Sequence, residues 1–161
     1  MVKSGRFSIS WAGPGCSPVA EAWLARLRTV RAMALLCLAG LVVGAGPFRI
    51  WRRRVGGRHD DLMDRDRARR LAAQVDRAAW RLPFASKCLP RAVALSWMLR
   101  RRRLAHALVL AVRPLQERGG SDDLHAWIEC GEAVILGDLP GPWIRIHTAG
   151  QQQGAPPAEC N

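Results

Sequence analysis

Apolar positions set the order of elements along this chain. Over residues 68–82 they recur as Ala68, Leu71, Ala72, Val75, Ala79 and Leu82, three and four apart, with Arg and Asp filling the other side. That spacing predicts an amphipathic helix resting one face on a core, capped at Asp60 or Asp61 and stopped by Pro83. A second helix is expected from about Cys88, because Pro90 suits a first-turn position and Ala92 to Leu99 form an almost unbroken apolar run. A helix apolar nearly all round is a buried one. Arg100 to Arg103 close it and complement the negative end of its dipole. Beyond them the period becomes that of extended chain. Ala105 to Val112 reads as a central strand, Pro114 to Asp123 as a loop, and Leu124–Cys130 with Ala133–Asp138 as two strands joined at Gly131-Glu132. Glycine at the first central position is what a two-residue type II′ turn requires.

The stretch before these elements admits several readings. Residues 32–48 carry no charge over seventeen positions, bordered by Arg26, Arg28 and Arg31 before and by Arg49, Arg52, Arg53 and Arg54 after. As a helix they would reach roughly 25 Å, short of a hydrocarbon core of roughly 30 Å, and Gly40, Gly44, Gly46 and Pro47 weaken the far end. A helix packed on the domain or on a partner, a membrane-associated helix and a true span all remain open; a cleaved signal peptide is excluded by the long leading region and by the arginines that follow. The expected division is a loose tail at 1–20, an apolar and basic helical segment at 21–59, a folded core at 60–147 and a disordered tail at 148–161.

Composition narrows the class. A chain of 161 residues with 49% hydrophobic and 24% charged side chains has enough apolar material for one globular core, which rules out a disordered chain or a multi-span membrane protein. The net charge of +12 is nearly all arginine in a chain rich in Ala and without Tyr, so it reads as a compositional bias and no nucleic-acid partner is expected. Five cysteines, widely spaced and odd in number, argue against a disulfide framework and for reduced thiols in a cytoplasmic setting. Cys88, His106, His125 and Cys130 share one half of the chain but lack C-x-x-C or H-x-x-x-H spacing, so neither a metal nor any other cofactor is expected.

The hairpin carries the chemistry. With Gly131 and Glu132 at its tip, Cys130 should face Ala133, Trp127 should face Leu136, and His125 should face Asp138 on the same side of the sheet. Opposed Cβ atoms lie about 4.5–5.5 Å apart, close enough for a carboxylate to fix an imidazole tautomer. Cys130 lies an odd number of residues from His125 and belongs to the other face. Cys88, at a helix start, would feel the positive end of the dipole and the open first-turn amides, which favour a thiolate and could hold an oxyanion.

These residues resemble the transglutaminase-like leader peptidases of lasso-peptide biosynthesis, the protease half of maturation protein B. Cys88-Leu89-Pro90-Arg91-Ala92 is similar to that family's C-L-x-R-[SA] helix start, His125-Ala126-Trp127-Ile128-Glu129 to its H-A-W-[VI]-E, and Gly137-Asp138 to its closing acid. The interval from His125 to Asp138 is one residue longer than the family's. The resemblance implies an α+β transglutaminase-like or papain-like core, with a central helix carrying the Cys and an antiparallel sheet carrying His and Asp. It implies Cys88 as nucleophile, His125 as base and Asp138 as orienting acid in a cysteine peptidase acting on a ribosomal precursor peptide. Trp127, on the face of His125, would wall a substrate cleft or pack in the core; Arg91 would bind a substrate carboxylate or pair with an acid of the fold. Fused relatives carry a leader-binding domain, and residues 1–59 show no succession of strands, so a separate leader-binding protein is expected. No G-x-x-x-x-G-K-[ST] loop occurs, which assigns the ATP requirement to a separate lasso cyclase. Two other classes stand beside this one: a non-catalytic scaffold of the same fold, and a small basic membrane-anchored protein.

Overall fold

The computed structural model describes residues 18–47, 51, 53–58, 61–119 and 123–150. Helix α1 spans Pro18–Ala45, α2 spans Arg65–Arg81 and α3 spans Cys88–Arg101. Strands β1 (Ala107–Val112), β2 (Leu124–Cys130), β3 (Ala133–Leu136) and β4 (Ile144–Ala149) form one antiparallel sheet in the order β3-β2-β1-β4. The three helices pack on one another, with α3 against β1 and β2 and α2 against β3. The chain is thus an α+β fold with an apolar helix at its N-terminal side.

Burial follows the patterns that form the elements. Ala68, Leu71, Ala72 and Val75 of α2 meet Ala92, Val93, Leu95 and Leu99 of α3 in the main core, and Leu108, Leu110, Ala126, Ile128 and Cys130 enter it from the sheet. Each large apolar side chain buried this way contributes about 1.5–3 kcal/mol. The intervening residues Val109, Ala111 and Trp127 form a second cluster, with Trp143 packed on it. Alternation along β1 and β2 therefore divides the sheet into two faces, and Cys130 lies on the face opposite Trp127, as the odd offset requires.

Helix α2 starts later than its expected caps. The Asp64 carboxylate accepts from the amide of Arg67 at 2.8 Å, while Asp61 accepts instead from the amide of Arg58. Asp64 is the cap because it stands three residues before an amide left open by the first turn. The turn between β2 and β3 has Gly131 at φ 63°, and among the described residues only Arg103 has a positive φ without being glycine, which leaves Glu132 negative as a type II′ turn demands.

Helix α1 is longer than the uncharged stretch and starts inside the expected loose tail, at Pro18; residues 1–17 and 151–161 lie outside the described residues. Its inner side sends Leu36 and Ala39 into the main core, so the packed unit begins well before residue 60. Its outer side leaves Trp23, Leu27, Val30, Leu38 and Leu41 exposed. By length and composition alone, Ala22–Ala45 could also cross a membrane, with 17% of its most apolar window buried.

Strand β4 was not expected, since residues 144–147 closed the core region as plain chain and the tail was to begin at 148. It pairs with β1 at the sheet edge, with a bulge opposite Leu110 and Ala111, and its Ile144 and Ile146 face solvent. Exposed isoleucines beside arginine and histidine leave little trace of a buried face.

One buried titratable group sets a pH dependence. His106 is 1% exposed; its Nδ1–H donates to the Leu104 carbonyl, its Nε2 accepts from the Ser96 hydroxyl, and the Ser96 oxygen accepts from the amide of Gly56, each at 2.8 Å. The neutral ring satisfies every atom of this chain. Burial lowers the His106 pKa below its ordinary 6.5, with Arg100 reinforcing the shift and the Leu104 carbonyl and Asp61 opposing it. The unfolded chain then binds more protons once the pH falls through about 6.5, so the stability contributed by neutral His106 is present above that value and lost below it. The thermal midpoint should therefore fall from pH 6.5 to pH 5 more steeply in the parent than in a His106→Gln variant. Equal slopes for the two proteins would show that His106 carries none of this dependence.

Candidate active site

Cys88 is the first residue of α3. Lys87 before it has an extended backbone and gives no capping side-chain bond, so the positive end of the helix stands open beside the sulfur, a place suited to developing negative charge. The thiol is half-buried, and Sγ makes a long S–H contact of 3.8 Å to the carbonyl oxygen of Leu124. The nucleophile candidate thus meets β2 one residue ahead of His125. Cys130, by contrast, is fully buried; its Sγ donates to the Ala105 carbonyl at 3.2 Å, and burial pushes its thiol pKa up. It is a packing residue.

His125 stands on the face of the second cluster. Its ring centroid is 5.9 Å from that of Trp127 and 5.1 Å from that of Trp143. Its Nε2 lies 2.7 Å from the carbonyl oxygen of Gly137. A carbonyl can only accept, so Nε2 carries the proton, and in the neutral ring Nδ1 holds the lone pair. Nδ1 is therefore the atom able to take a proton. Among the described residues no hydrogen bond joins it to Cys88, which packs against the main core and does not line the cavity that His125 borders, so the structure brings Cys88 to the His125 strand without bringing the two side chains together.

The expected pairing of His125 with Asp138 does not form. Cys130 pairs with Ala133 and Glu129 with Val134 as the turn dictates, but Ile128 then pairs with Leu136. Ile135 is an extra residue, a bulge that shifts the register by one and moves Leu136 away from Trp127. Strand β3 then ends, and Gly137 turns with φ 82° so that its carbonyl, rather than the Asp138 carboxylate, meets the imidazole. The bulge takes up one residue of the interval between His125 and Asp138, the interval that is one residue longer than in the family the motifs resemble. Asp138 remains nearby: it lines a cavity of about 220 Å³ together with His125, Trp127, Glu129, Trp143 and Arg145.

Trp127 is 8% exposed, packs on Val109 and Ala111, and borders that cavity. Its indole N–H donates to Glu129 at 2.7 Å, and Arg145 pairs with the same carboxylate at 2.8 Å. The Arg91 guanidinium pairs with Asp76 of α2, which braces α3 against α2, and Arg91 borders a different groove, beside Trp80 and Phe84. Arg145 and Trp143 could not be picked out by pattern, because both depend on β4 and its approach, and neither could the carbonyl of Gly137, because backbone acceptors carry no residue signature.

The sequence matches the transglutaminase-like superfamily over residues 32–148, from the inner half of α1 to β4. Comparison with curated proteins found no match, and comparison with solved structures found none. With a thiol at a helix start, an imidazole at the head of the adjoining strand, and a match over most of its length, the chain belongs to the transglutaminase-like superfamily, which includes cysteine proteases and transglutaminases.

Proposed function

We propose that this chain is a cysteine peptidase that removes the leader from a ribosomally made lasso-type precursor, before a separate ATP-using cyclase closes the ring. The observation that carries the reading is Cys88 at the open start of α3, against the main chain next to a His125 whose bare nitrogen is fixed as Nδ1. In the reaction the Cys88 thiol turns from the Leu124 carbonyl and gives its proton to Nδ1. The sulfur attacks the last leader carbonyl, and the first-turn amides of α3 hold the oxyanion. The Nδ1–H then protonates the departing amine. Water, deprotonated by Nδ1, releases the leader acid from the thioester. Asp138, in the same cavity, stabilises the imidazolium by its charge, and Trp127 walls the cleft. The medium is the cytoplasm.

The leader is long and flexible, and tethering it near the sulfur raises its effective concentration into the millimolar range for a short tether. A separate leader-binding protein supplies that tether by docking on the exposed apolar side of α1, which includes Leu38 and Leu41. The test is mass spectrometry of the precursor after incubation with the purified chain, with and without that partner. The partner should accelerate a single leader-releasing cut at least tenfold, and Leu38→Glu with Leu41→Glu should remove the gain. Rapid, leader-dependent cleavage by the chain alone would overturn the partner requirement, and no cleavage under either condition would overturn the peptidase reading.

The apolar length of Ala22–Ala45 favours a second reading for α1, in which this helix lies against a membrane. Recovery of the expressed protein in the membrane pellet after carbonate washing would support it; recovery in the supernatant would leave α1 to the protein partner.

A further inference from the structure

We propose that the groove between the end of α2 and the start of α3 holds the last residues of the leader, with a large apolar side chain against Trp80 and Phe84 and a main-chain carbonyl on Arg91. That occupant rests on the peptidase reading and names where its substrate lies. The groove encloses about 470 Å³, against about 220 Å³ beside His125, and is bordered by the last turn of α2, the connection 82–86 and Arg91. Trp80 is 87% exposed and Phe84 54%, and both stand outside the two core clusters. Two large rings left in water along one groove make an apolar wall, the kind of surface that a ligand side chain covers. Arg91 is the one charged residue lining it among the described residues. Of the five donor hydrogens of its guanidinium, Asp76 engages one nitrogen, Nη2, while the buried Nε–H has no acceptor. A third of the Arg91 side chain remains exposed. The groove therefore combines apolar surface with donors in excess, which suits a neutral peptide segment with its carbonyl oxygens.

The position of the groove along the chain selects this occupant. Ser86 precedes Cys88 by two residues, a span of at most about 7 Å. Arg91 follows Cys88 by three residues on α3, and side chains three apart on a helix are surface neighbours, with Cβ atoms about 5–6 Å apart. A peptide whose reacting carbonyl lies at the Cys88 sulfur thus reaches the groove within two residues. Attack by the thiolate makes the last leader residue the acyl group on sulfur, and the rest of the precursor departs with the amine. The leader stays until water cleaves the thioester. Contacts to the leader therefore act in both steps, whereas contacts beyond the cut act only in the first. Along an extended peptide, side chains and carbonyls alternate, so one short segment offers both an apolar side chain and an oxygen. The pairing of Arg91 with Asp76 holds the two walls of the groove together.

The test locates the leader directly. The last four leader residues of the precursor are replaced, one at a time, by photoreactive p-benzoylphenylalanine, and each peptide is irradiated with the Cys88→Ala chain, which leaves it uncut. Mass spectrometry of the digest should place at least one cross-link within residues 79–86. In cleavage assays of the Cys88 parent, Trp80→Ala combined with Phe84→Ala should lower kcat/KM about tenfold or more. The thermal midpoint should stay near the parent's, because both rings are mostly in water. Arg91→Lys keeps a cation for Asp76 and loses the planar fork of donors, so kcat/KM should fall about three- to tenfold with the fold intact; Arg91→Ala removes the brace as well and is the less decisive variant. Cross-links that map elsewhere, whether to α1 or to the sheet, or that do not form, would overturn the groove as the leader site. An unchanged kcat/KM in the Trp80 and Phe84 double variant would overturn it too. A parent that cuts no precursor while cross-links still map to residues 79–86 would overturn the peptidase reading alone.

Discussion

Cys88→Ala should abolish leader removal while leaving the protein folded, and Cys130→Ala should cleave at nearly the parent rate. Loss of the nucleophile from a nucleophile and base that act as a unit costs on the order of 10⁴–10⁶ in rate. Cys88 is half-buried at a helix start, packs at the margin of the main core, and makes a long contact to the Leu124 carbonyl, so replacement by alanine should cost about 1 kcal/mol. Cys130 reverses the comparison. Its sulfur fills the core beneath β2 and donates to the Ala105 carbonyl, so removing it should cost about 1–2 kcal/mol of stability without touching the reacting groups. The check is mass spectrometry of the precursor for both variants, beside their thermal midpoints. Equal cleavage by the Cys88 variant and the parent would end the peptidase reading. A parent whose Cys88 reacts with iodoacetamide no faster than an unfolded thiol near neutral pH would leave the fold as a scaffold without thiol chemistry.

What could be read from the sequence depended on whether the governing physics was local. The apolar face of α2, the start of α3 at Cys88 and the glycine turn at Gly131 rest on interactions within a few residues, and all three form where the pattern places them. The opposite face of Cys130 followed from alternation along a single strand. The bulge at Ile135 did not follow from anything local, because an extra residue is set by how two strands and the layer beneath them pack together. One such residue was enough to cancel the expected meeting of His125 and Asp138. Helix α1 starts at Pro18, just ahead of the helical segment expected from residue 21, and it carries Arg26, Arg28 and Arg31 on a side open to water. Strand β4 stayed hidden because its isoleucines face solvent, and pairing with β1 rather than burial makes it a strand. The identities of the reacting groups were legible, then, while the acceptor that orients the imidazole and the indole beside it required the fold.

The second large effect follows from that acceptor. Gly137→Ala should lower cleavage by about a hundredfold or more, and Asp138→Asn by only about tenfold. At Gly137 the backbone has φ 82°, where a side chain is strained, and a Cβ would lie 2.8 Å from the Ala126 carbonyl oxygen and 3.1 Å from the Trp127 Cβ. Both neighbours belong to the sheet and cannot yield, so the turn itself must move and carry its carbonyl away from Nε2. Strain of this kind costs about 1–3 kcal/mol, which the fold can bear at low temperature. The imidazole, deprived of the group that keeps its proton on Nε2, would spend part of its time as the tautomer whose lone pair faces the wrong way. An acid-to-amide change that produces the wrong tautomer in a related triad costs about 10⁴ in rate, so a hundredfold is a moderate expectation for a displaced carbonyl. Asp138→Asn leaves the Gly137 carbonyl in place and removes only a charge from the cavity that the imidazolium shares. The ratio of the two effects, measured at a temperature where both variants are folded by circular dichroism, decides between the orienting groups. A larger loss from Asp138→Asn than from Gly137→Ala would show that the carboxylate accepts the Nε2–H hydrogen bond during turnover and that the carbonyl accepts it only at rest.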